Sequence, residues 1–152
     1  MDERTKIVVE SAKRHFESGF NCAESTLLGV AEYLGIRSPS VQSLATGFGG
    51  GMGRSDLLCG AVTGAIMGIG LAVDHRSPED QDGKERVYTL TRKFIEAFVA
   101  KYGSCMCTTL AGYNLSTPEG LQGFRDSGAH MNVCPKFVGD AVAIAASLLS
   151  AD

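Results

Sequence analysis

The stretch LLCGAVTGAIMGIGLAV, Leu57–Val73, decides the fold of this chain. Its strongly apolar part, Ala61–Val73, is shorter than the roughly 18 residues that a membrane-spanning helix needs, and we predict a buried helix of a soluble domain. Gly60, Gly64 and Gly68 recur every four residues and therefore share one helix face. Each helical glycine costs about 0.5–1 kcal/mol relative to alanine, so three on one face predict that another backbone packs closely there.

Helical patterns also dominate the rest of the chain. The segment KERVYTLTRKFIEAFVAKYG carries its apolar residues on one stripe, which is typical of an amphipathic helix. Asn21 and Pro135 mark the starts of two other helices, as an N-cap and as a first helical residue. No segment has the alternating pattern of a strand, and no long repeat is present. We therefore predict one all-α domain over residues 1–152, a compact bundle of about six or seven helices with a glycine-rich loop.

Composition and charge exclude several function classes. A net charge of −3 with no block of Lys or Arg offers no electrostatic surface for nucleic acid. The charged start MDERTKIVVE lacks the apolar region of a secretory signal, so we expect a cytoplasmic protein that does not span a membrane. Thiols are mostly reduced in that compartment, and cysteines there serve metal binding, catalysis or packing more often than structural disulfides. The oligomeric state stays open.

The glycine-rich segment GFGGGMGR, residues 47–54, invites a nucleotide-binding interpretation that its details do not support. Neither register supplies the third glycine of a dinucleotide-binding fingerprint. A phosphate-binding P-loop would need Lys where Arg54 stands and Gly where Phe48 stands. We predict instead a loop with unusual φ angles that lets its backbone approach another helix or a reactive sulfur.

The cysteines carry the main functional signal. The chain has five, and no two of them form a C-x-x-C pair, so neither a zinc ribbon nor a thioredoxin-type site is indicated. Four of them fall at predicted helix starts: Cys22 after the cap Asn21, Cys59 three residues after the candidate cap Asp56, Cys107 before a helical turn, and Cys134 at the N-cap before Pro135. Exposed N–H groups and the helix dipole stabilise a thiolate at such positions, so we predict lowered thiol pKa values there.

The order of the cysteine motifs resembles a known family. NCAESTLL, CGAVTG, CTTLAGYNL and CPKFV follow one another between Phe20 and Leu148, with GFGGGMGR just upstream of the second. The pattern is similar to the small redox-active family named for its cysteines, C, GCAxxG, C, C. The resemblance implies a helical domain with redox activity and identifies Cys22, Cys59, Cys107 and Cys134 as the family cysteines. Cys105 is additional to that pattern and receives no family role.

Three hypotheses of function follow. The first is a thiol–disulfide redox protein in which these four cysteines converge and cycle between dithiol and disulfide, and their connectivity stays open. The second is a metal or iron–sulfur site built from the same four sulfurs, or a Cys/His variant with His130. The third is a helical structural or adaptor domain with inert thiols. The cofactor, the electron donor, the substrate and the redox partner are not indicated.

Overall fold

The computed structural model describes residues 1–152 and consists of helices without a β-sheet, which confirms the predicted all-α fold. Six helices have ten residues or more, in agreement with the expected number, and the others are single turns. The helices are α1 (Glu3–Glu17), α2 (Cys22–Leu34), α3 (Val41–Ala45), α4 (Gly49–Met52), α5 (Gly60–Val73), α6 (Gln81–Tyr102), α7 (Cys107–Ala111), α8 (Pro118–Ser127), α9 (Ala129–Asn132) and α10 (Cys134–Ala151), with a 3₁₀ turn at Thr46–Phe48.

The core lies where α2, α5 and α10 meet, with α1 and α6 closing it from outside. Its largest fully buried side chains include Phe94 and Phe98 of α6 and Ile69 of α5. The stretch Ala129–Ala151 is long and apolar enough to cross a membrane by length and composition alone. One face of it, however, packs into this core, as the central helix of a soluble domain does.

The glycine face of α5 packs directly on α2, as the sequence predicts. A Cβ atom built on Gly64 would stand 2.5 Å from the carbonyl oxygen of Ala23, and one on Gly68 would stand 2.5 Å from a methyl group of Val30. At Gly60 the added atom would stand 2.3 Å from the sulfur of Cys22. Any side chain at these three positions would push the two helices apart, so glycine is required for the close approach.

The start of α5 differs from the prediction. The helix begins at Gly60 rather than at Leu57, because the preceding residues pair with another segment: Leu58 forms an isolated antiparallel bridge with Met106. Asp56 is not the N-cap; its backbone is left-handed, with φ of 59°, and its carboxylate accepts a hydrogen bond from the Thr108 hydroxyl. Cys59 itself takes the N-cap position. Tertiary pairing has overridden local helix propensity here.

The glycine-rich segment forms a left-handed turn rather than an open loop. Five consecutive residues have positive φ: Gly50 (67°), Gly51 (75°), Met52 (66°), Gly53 (68°) and Arg54 (64°). The turn, which includes α4, is closed by hydrogen bonds from the N–H groups of Gly53 and Ser55 to the carbonyl oxygens of Gly49 and Gly51. Left-handed backbone costs roughly 1–2 kcal/mol per non-glycine residue, which explains why three of these five residues are glycine.

Candidate active site

The structure places four cysteines at the starts of four helices. Cys22 is the first residue of α2, where Asn21 and Glu24 form a reciprocal capping box. Cys107 is the first residue of α7, and Cys59 immediately precedes α5. Cys134 is the first residue of α10 rather than its N-cap, because the short α9 runs almost directly into it.

These four cysteines line one cavity of about 570 Å³, and Cys105 does not take part in it. All five cysteines are free thiols. The rest of the wall is largely apolar, with Phe16, Leu110, Leu115, Leu121, Phe124 and Phe137 among its residues. The volume lies within the usual range of small-molecule sites, roughly 300–1,000 Å³.

Cys22 is the one cysteine whose thiolate is stabilised. The thiol of Cys59 donates a hydrogen bond to its sulfur, and further hydrogen bonds come from the backbone N–H groups of Gly50, Gly60 and Ala23. Together they outweigh the effect of burial and lower the pKa of Cys22 from 9.0 to about 6. At neutral pH Cys22 is therefore mainly a thiolate, and its partial exposure on the cavity wall leaves it accessible.

Each N–H group that reaches the Cys22 sulfur comes from a different part of the fold. Ala23 belongs to the first turn of α2, and Gly60 to the first turn of α5. Gly50 belongs to the left-handed turn, so the predicted approach of the glycine-rich backbone to a sulfur is what the structure shows. The site thus depends on three segments that are distant in the sequence.

Cys59 is the protonated partner of this thiolate. It is 6% exposed, and its pKa is raised well above 9.0 because its thiol donates to Cys22, because it is buried, and because the charge on Cys22 is close. A thiolate next to a thiol that shares its proton is the arrangement from which a disulfide can form. The pair Cys22–Cys59 is therefore the candidate reactive pair of the cavity.

Cys107 and Cys134 are held as neutral thiols. Burial, followed by the charge of Cys22, raises the pKa of Cys107 to about 11. Burial and the charges of Cys22 and Cys107 raise the pKa of Cys134 to about 12. The sequence-based expectation of lowered pKa values thus holds for Cys22 alone, because the other three sulfurs receive too few N–H donors to offset desolvation.

Two cysteine segments are tied together by backbone hydrogen bonds. The N–H group of Cys59 donates to the carbonyl oxygen of Cys105 at 2.8 Å, and the N–H group of Cys107 donates to that of Leu57 at 2.9 Å. Gly51 packs against the same segment, since a Cβ there would stand 2.7 Å from the Cβ of Cys107. These contacts hold Cys59 and Cys107 on the same side of the cavity.

His130, the residue considered as a metal ligand, lies on the cavity wall between aromatic rings. Its ring centroid is 4.6 Å from that of Phe16 and 5.8 Å from that of Phe124. Desolvation lowers the pKa of His130, which favours the neutral ring at pH 7. No three Cys, His, Asp or Glu side chains in the structure form a group arranged to hold one metal ion.

Two cavity residues escape sequence analysis. Arg54 and Arg125 are the only Lys, Arg, Asp or Glu side chains on the cavity wall. Arg54 stands where a P-loop would have lysine, so the sequence draws attention to it only as a departure from that motif. Arg125 belongs to the amphipathic α8, and nothing in its local sequence separates it from an ordinary exposed arginine.

The fold and the cavity define an all-helical thiol protein with one stabilised thiolate among four converging cysteines. The chain belongs to the family described as "Putative redox-active protein (C_GCAxxG_C_C)", which matches residues 20–148. This confirms the resemblance seen in the cysteine motifs. No curated protein and no solved structure matches the chain.

Proposed function

We propose that the protein is a thiol–disulfide oxidoreductase in which Cys22 is the nucleophile and Cys59 the resolving cysteine. The observation that carries the proposal is that Cys22 and Cys59 line the same cavity, with the pKa of Cys22 lowered to about 6 and that of Cys59 raised. The redox description of the family supports it. A pKa of about 6 keeps the nucleophile charged at neutral pH while leaving it more nucleophilic than a strongly acidic thiol.

The reaction balances with the residues present and a disulfide substrate. The Cys22 thiolate attacks one sulfur of the substrate, forming a mixed disulfide and releasing the first substrate thiolate. Cys59 then loses its proton and attacks the Cys22 sulfur, which releases the second substrate thiolate and closes a Cys22–Cys59 disulfide. The substrate gains two electrons and the protein loses two, and the proton of Cys59 passes to a released thiolate.

The oxidised protein must then be reduced by an external dithiol. Cys107 and Cys134 line the same cavity as neutral thiols, and we assign them a supporting role as a second pair that can take over the disulfide from Cys22 and Cys59. We place this cycle in the cytoplasm, where dithiol donors keep protein thiols reduced.

The test is stoichiometric oxidation with bis(2-hydroxyethyl) disulfide, a small uncharged substrate, followed by acid quenching and mass spectrometry. We expect the native chain to lose two thiols and to yield a Cys22–Cys59 cross-linked peptide. Cys22→Ser should abolish the reaction, whereas Cys59→Ser should trap a mixed disulfide on Cys22. Cys105→Ser is the matched control, because Cys105 lies outside the cavity, and should react as the native chain does.

Two outcomes would overturn the proposal. An unchanged thiol count in the native chain would favour the hypothesis of inert thiols. A disulfide among the other cysteines that still forms in Cys22→Ser would assign the chemistry to another pair of the four cysteines, since four cysteines allow three connectivities.

An iron–sulfur cluster is the second candidate: the four cysteines line one cavity, although no three of them form a group that could hold a single metal ion. Four cysteine thiolates are the usual ligand set of such clusters, and a cluster would also relieve the mutual repulsion that opposes ionisation of these sulfurs. Anaerobic purification followed by iron and sulfide analysis decides between the two. A brown protein with stoichiometric iron and sulfide, lost in Cys22→Ser and kept in Cys105→Ser, would establish the cluster; a colourless and iron-free protein would exclude it.

A further inference from the structure

We infer that the cavity selects a small disulfide bearing a carboxylate, and that Arg54 and Arg125 bind this negative group. The inference deepens the proposed function and rests on it. The starting observation is the charge of the wall: two arginines line the cavity and no Asp or Glu does. The chain as a whole carries a net charge of −3, so the charged side chains of the cavity wall have the opposite sign to the net charge of the chain.

Neither guanidinium is engaged with a carboxylate of the protein. No ion pair involves Arg54 or Arg125. The acid closest in sequence to Arg54 is Asp56, which accepts a hydrogen bond from Thr108 instead. The neighbour of Arg125, Asp126, accepts one from the side-chain amide of Gln122 at 2.8 Å. Both arginines are therefore available to a ligand.

Arg54 belongs to the left-handed turn and lies on the wall of the cavity that also contains Cys22. Its Cγ lies 3.1 Å from the position that a Cβ on Gly50 would take, so the side chain passes over Gly50. The N–H group of the same Gly50 supports the Cys22 thiolate. Arg54 and Cys22 thus lie on either side of Gly50 in one cavity, so a ligand in that cavity can contact both.

The positive charges of Arg54 and Arg125 also offset an electrostatic repulsion in the proposed reaction. An anionic disulfide approaching the Cys22 thiolate is repelled by it, and two guanidinium groups on the same wall reverse that repulsion. Guanidinium groups bind carboxylates through paired hydrogen bonds, which orient the ligand as well as attract it. The apolar wall accommodates the organic body of the substrate. A carboxylate-bearing organic disulfide matches all three features.

The test compares iodoacetate with iodoacetamide, two alkylating reagents of nearly the same shape, of which the first is an anion and the second is neutral. The ratio of their rates at Cys22 is measured by mass spectrometry of the Cys22 peptide, with the urea-unfolded chain as reference. We expect the ratio of the iodoacetate rate to the iodoacetamide rate to be about tenfold higher in the folded chain than in the unfolded chain. Each exposed guanidinium–carboxylate contact contributes a factor of about two to five, and two such contacts act together. The excess should shrink in 1 M salt.

Substitutions of Arg54 and Arg125 test whether these two residues cause the raised rate ratio. Arg54→Gln and Arg125→Gln should each lower the ratio by about two- to fivefold, whereas Arg54→Lys and Arg125→Lys should keep most of it. Arg37→Gln is the matched control, because Arg37 is exposed, has no ion pair and lies outside the cavity. Circular dichroism of each variant verifies the fold. Equal ratios in the native chain and in all variants would overturn the inference.

Failure of the inference and failure of the proposed function give different results. Alkylation requires only a reactive thiolate, so it reports the selectivity of the cavity even in a chain that does not exchange disulfides. The uncharged disulfide tests exchange without any contribution from the arginines. If the chain exchanges disulfides and its cavity prefers anions, the anionic disulfide 3,3′-dithiodipropionate should oxidise the chain at least five times faster than the cationic disulfide cystamine. Equal rates would refute the assigned substrate class.

Discussion

Cys22 and Cys59 line the same cavity with opposite pKa shifts: the Cys59 thiol lowers the pKa of Cys22, and the same contact raises the pKa of Cys59. Backbone N–H groups of Gly50, Gly60 and Ala23 add to the lowering of the Cys22 pKa. Cys59 has only the N–H group of Ala61 in its favour. The proposed roles of Cys22 as nucleophile and Cys59 as resolving cysteine follow from this asymmetry.

Removing the Cys59 donor should raise the pKa of Cys22. A hydrogen bond to a charged group contributes about 1.5–3 kcal/mol, so Cys59→Ala should move the pH midpoint of Cys22 alkylation upward by roughly one to two pH units. Cys59→Ser keeps a hydroxyl donor and should produce a smaller shift. Iodoacetamide rates measured from pH 4 to pH 10 give the midpoints. Identical midpoints in both variants and in the native chain would show that the thiol does not stabilise Cys22.

The stability of the fold should depend on the ionisation of Cys22. Its pKa is about 6 in the folded chain and 9.0 in an ordinary environment, so the folded state favours the thiolate. The resulting stabilisation is complete above pH 9 and is lost as the pH falls towards 6. The free energy of unfolding of the native chain, minus that of Cys22→Ser, should therefore rise between pH 6 and pH 9. Urea titrations under reducing conditions measure it, and a flat or falling difference would contradict the assigned ionisation.

The contact between α2 and α5 predicts opposite effects for two glycine substitutions on one helix. Gly60→Ala places a methyl group against the Cys22 sulfur and the Ala23 nitrogen, and should destabilise the fold by roughly 1–3 kcal/mol. Gly70→Ala meets nothing within 4 Å and should stabilise it by about 0.5–1 kcal/mol. Chemical denaturation of both variants provides the comparison. Equal stabilities would rule out the close approach at Gly60.

The left-handed turn predicts a similar contrast within the glycine-rich segment. Gly51 has φ of 75°, and a Cβ there would stand 2.7 Å from the Cβ of Cys107, so Gly51→Ala should destabilise the fold by roughly 1–3 kcal/mol. Gly47 lies three residues before Gly50, outside the left-handed turn, and a Cβ there would meet no atom within 4 Å. Gly47→Ala should therefore change the free energy of unfolding by less than about 0.5 kcal/mol. Thermal unfolding monitored by circular dichroism compares the stabilities of the two variants. A loss at Gly47 as large as that at Gly51 would contradict the assigned conformation.

Much of the helical framework can be predicted from local sequence. Asn21 as an N-cap and the stop signal Gly35, which ends α2 with φ of 72°, are local features and occur as the sequence indicates. The glycine face of α5 also follows from spacing alone, since its partner need only be a helix without bulky side chains at the contact. The start of α5 could not be predicted, because the pairing of Leu58 with Met106 is a long-range interaction.

The roles within the candidate site are less predictable than its members. The four cysteines are visible as helix starts, but the same local argument assigns a low pKa to all of them. Only the folded chain shows that N–H groups from three segments converge on Cys22, while Cys107 and Cys134 are desolvated. The contribution of Arg125 depends on where α8 packs, which no local pattern encodes.

The glycine face of α5 has a mechanical consequence for the proposed reaction. Because α2 and α5 meet backbone to backbone at Gly60 and Gly64, we expect Cys22, at the start of α2, and Cys59, just before α5, to keep a fixed relative position. On the proposed reaction, we expect the disulfide to close without a change in the packing of α2 on α5. The turnover rate should accordingly follow the entry and departure of the substrate, with no conformational gate between the reduced and oxidised states.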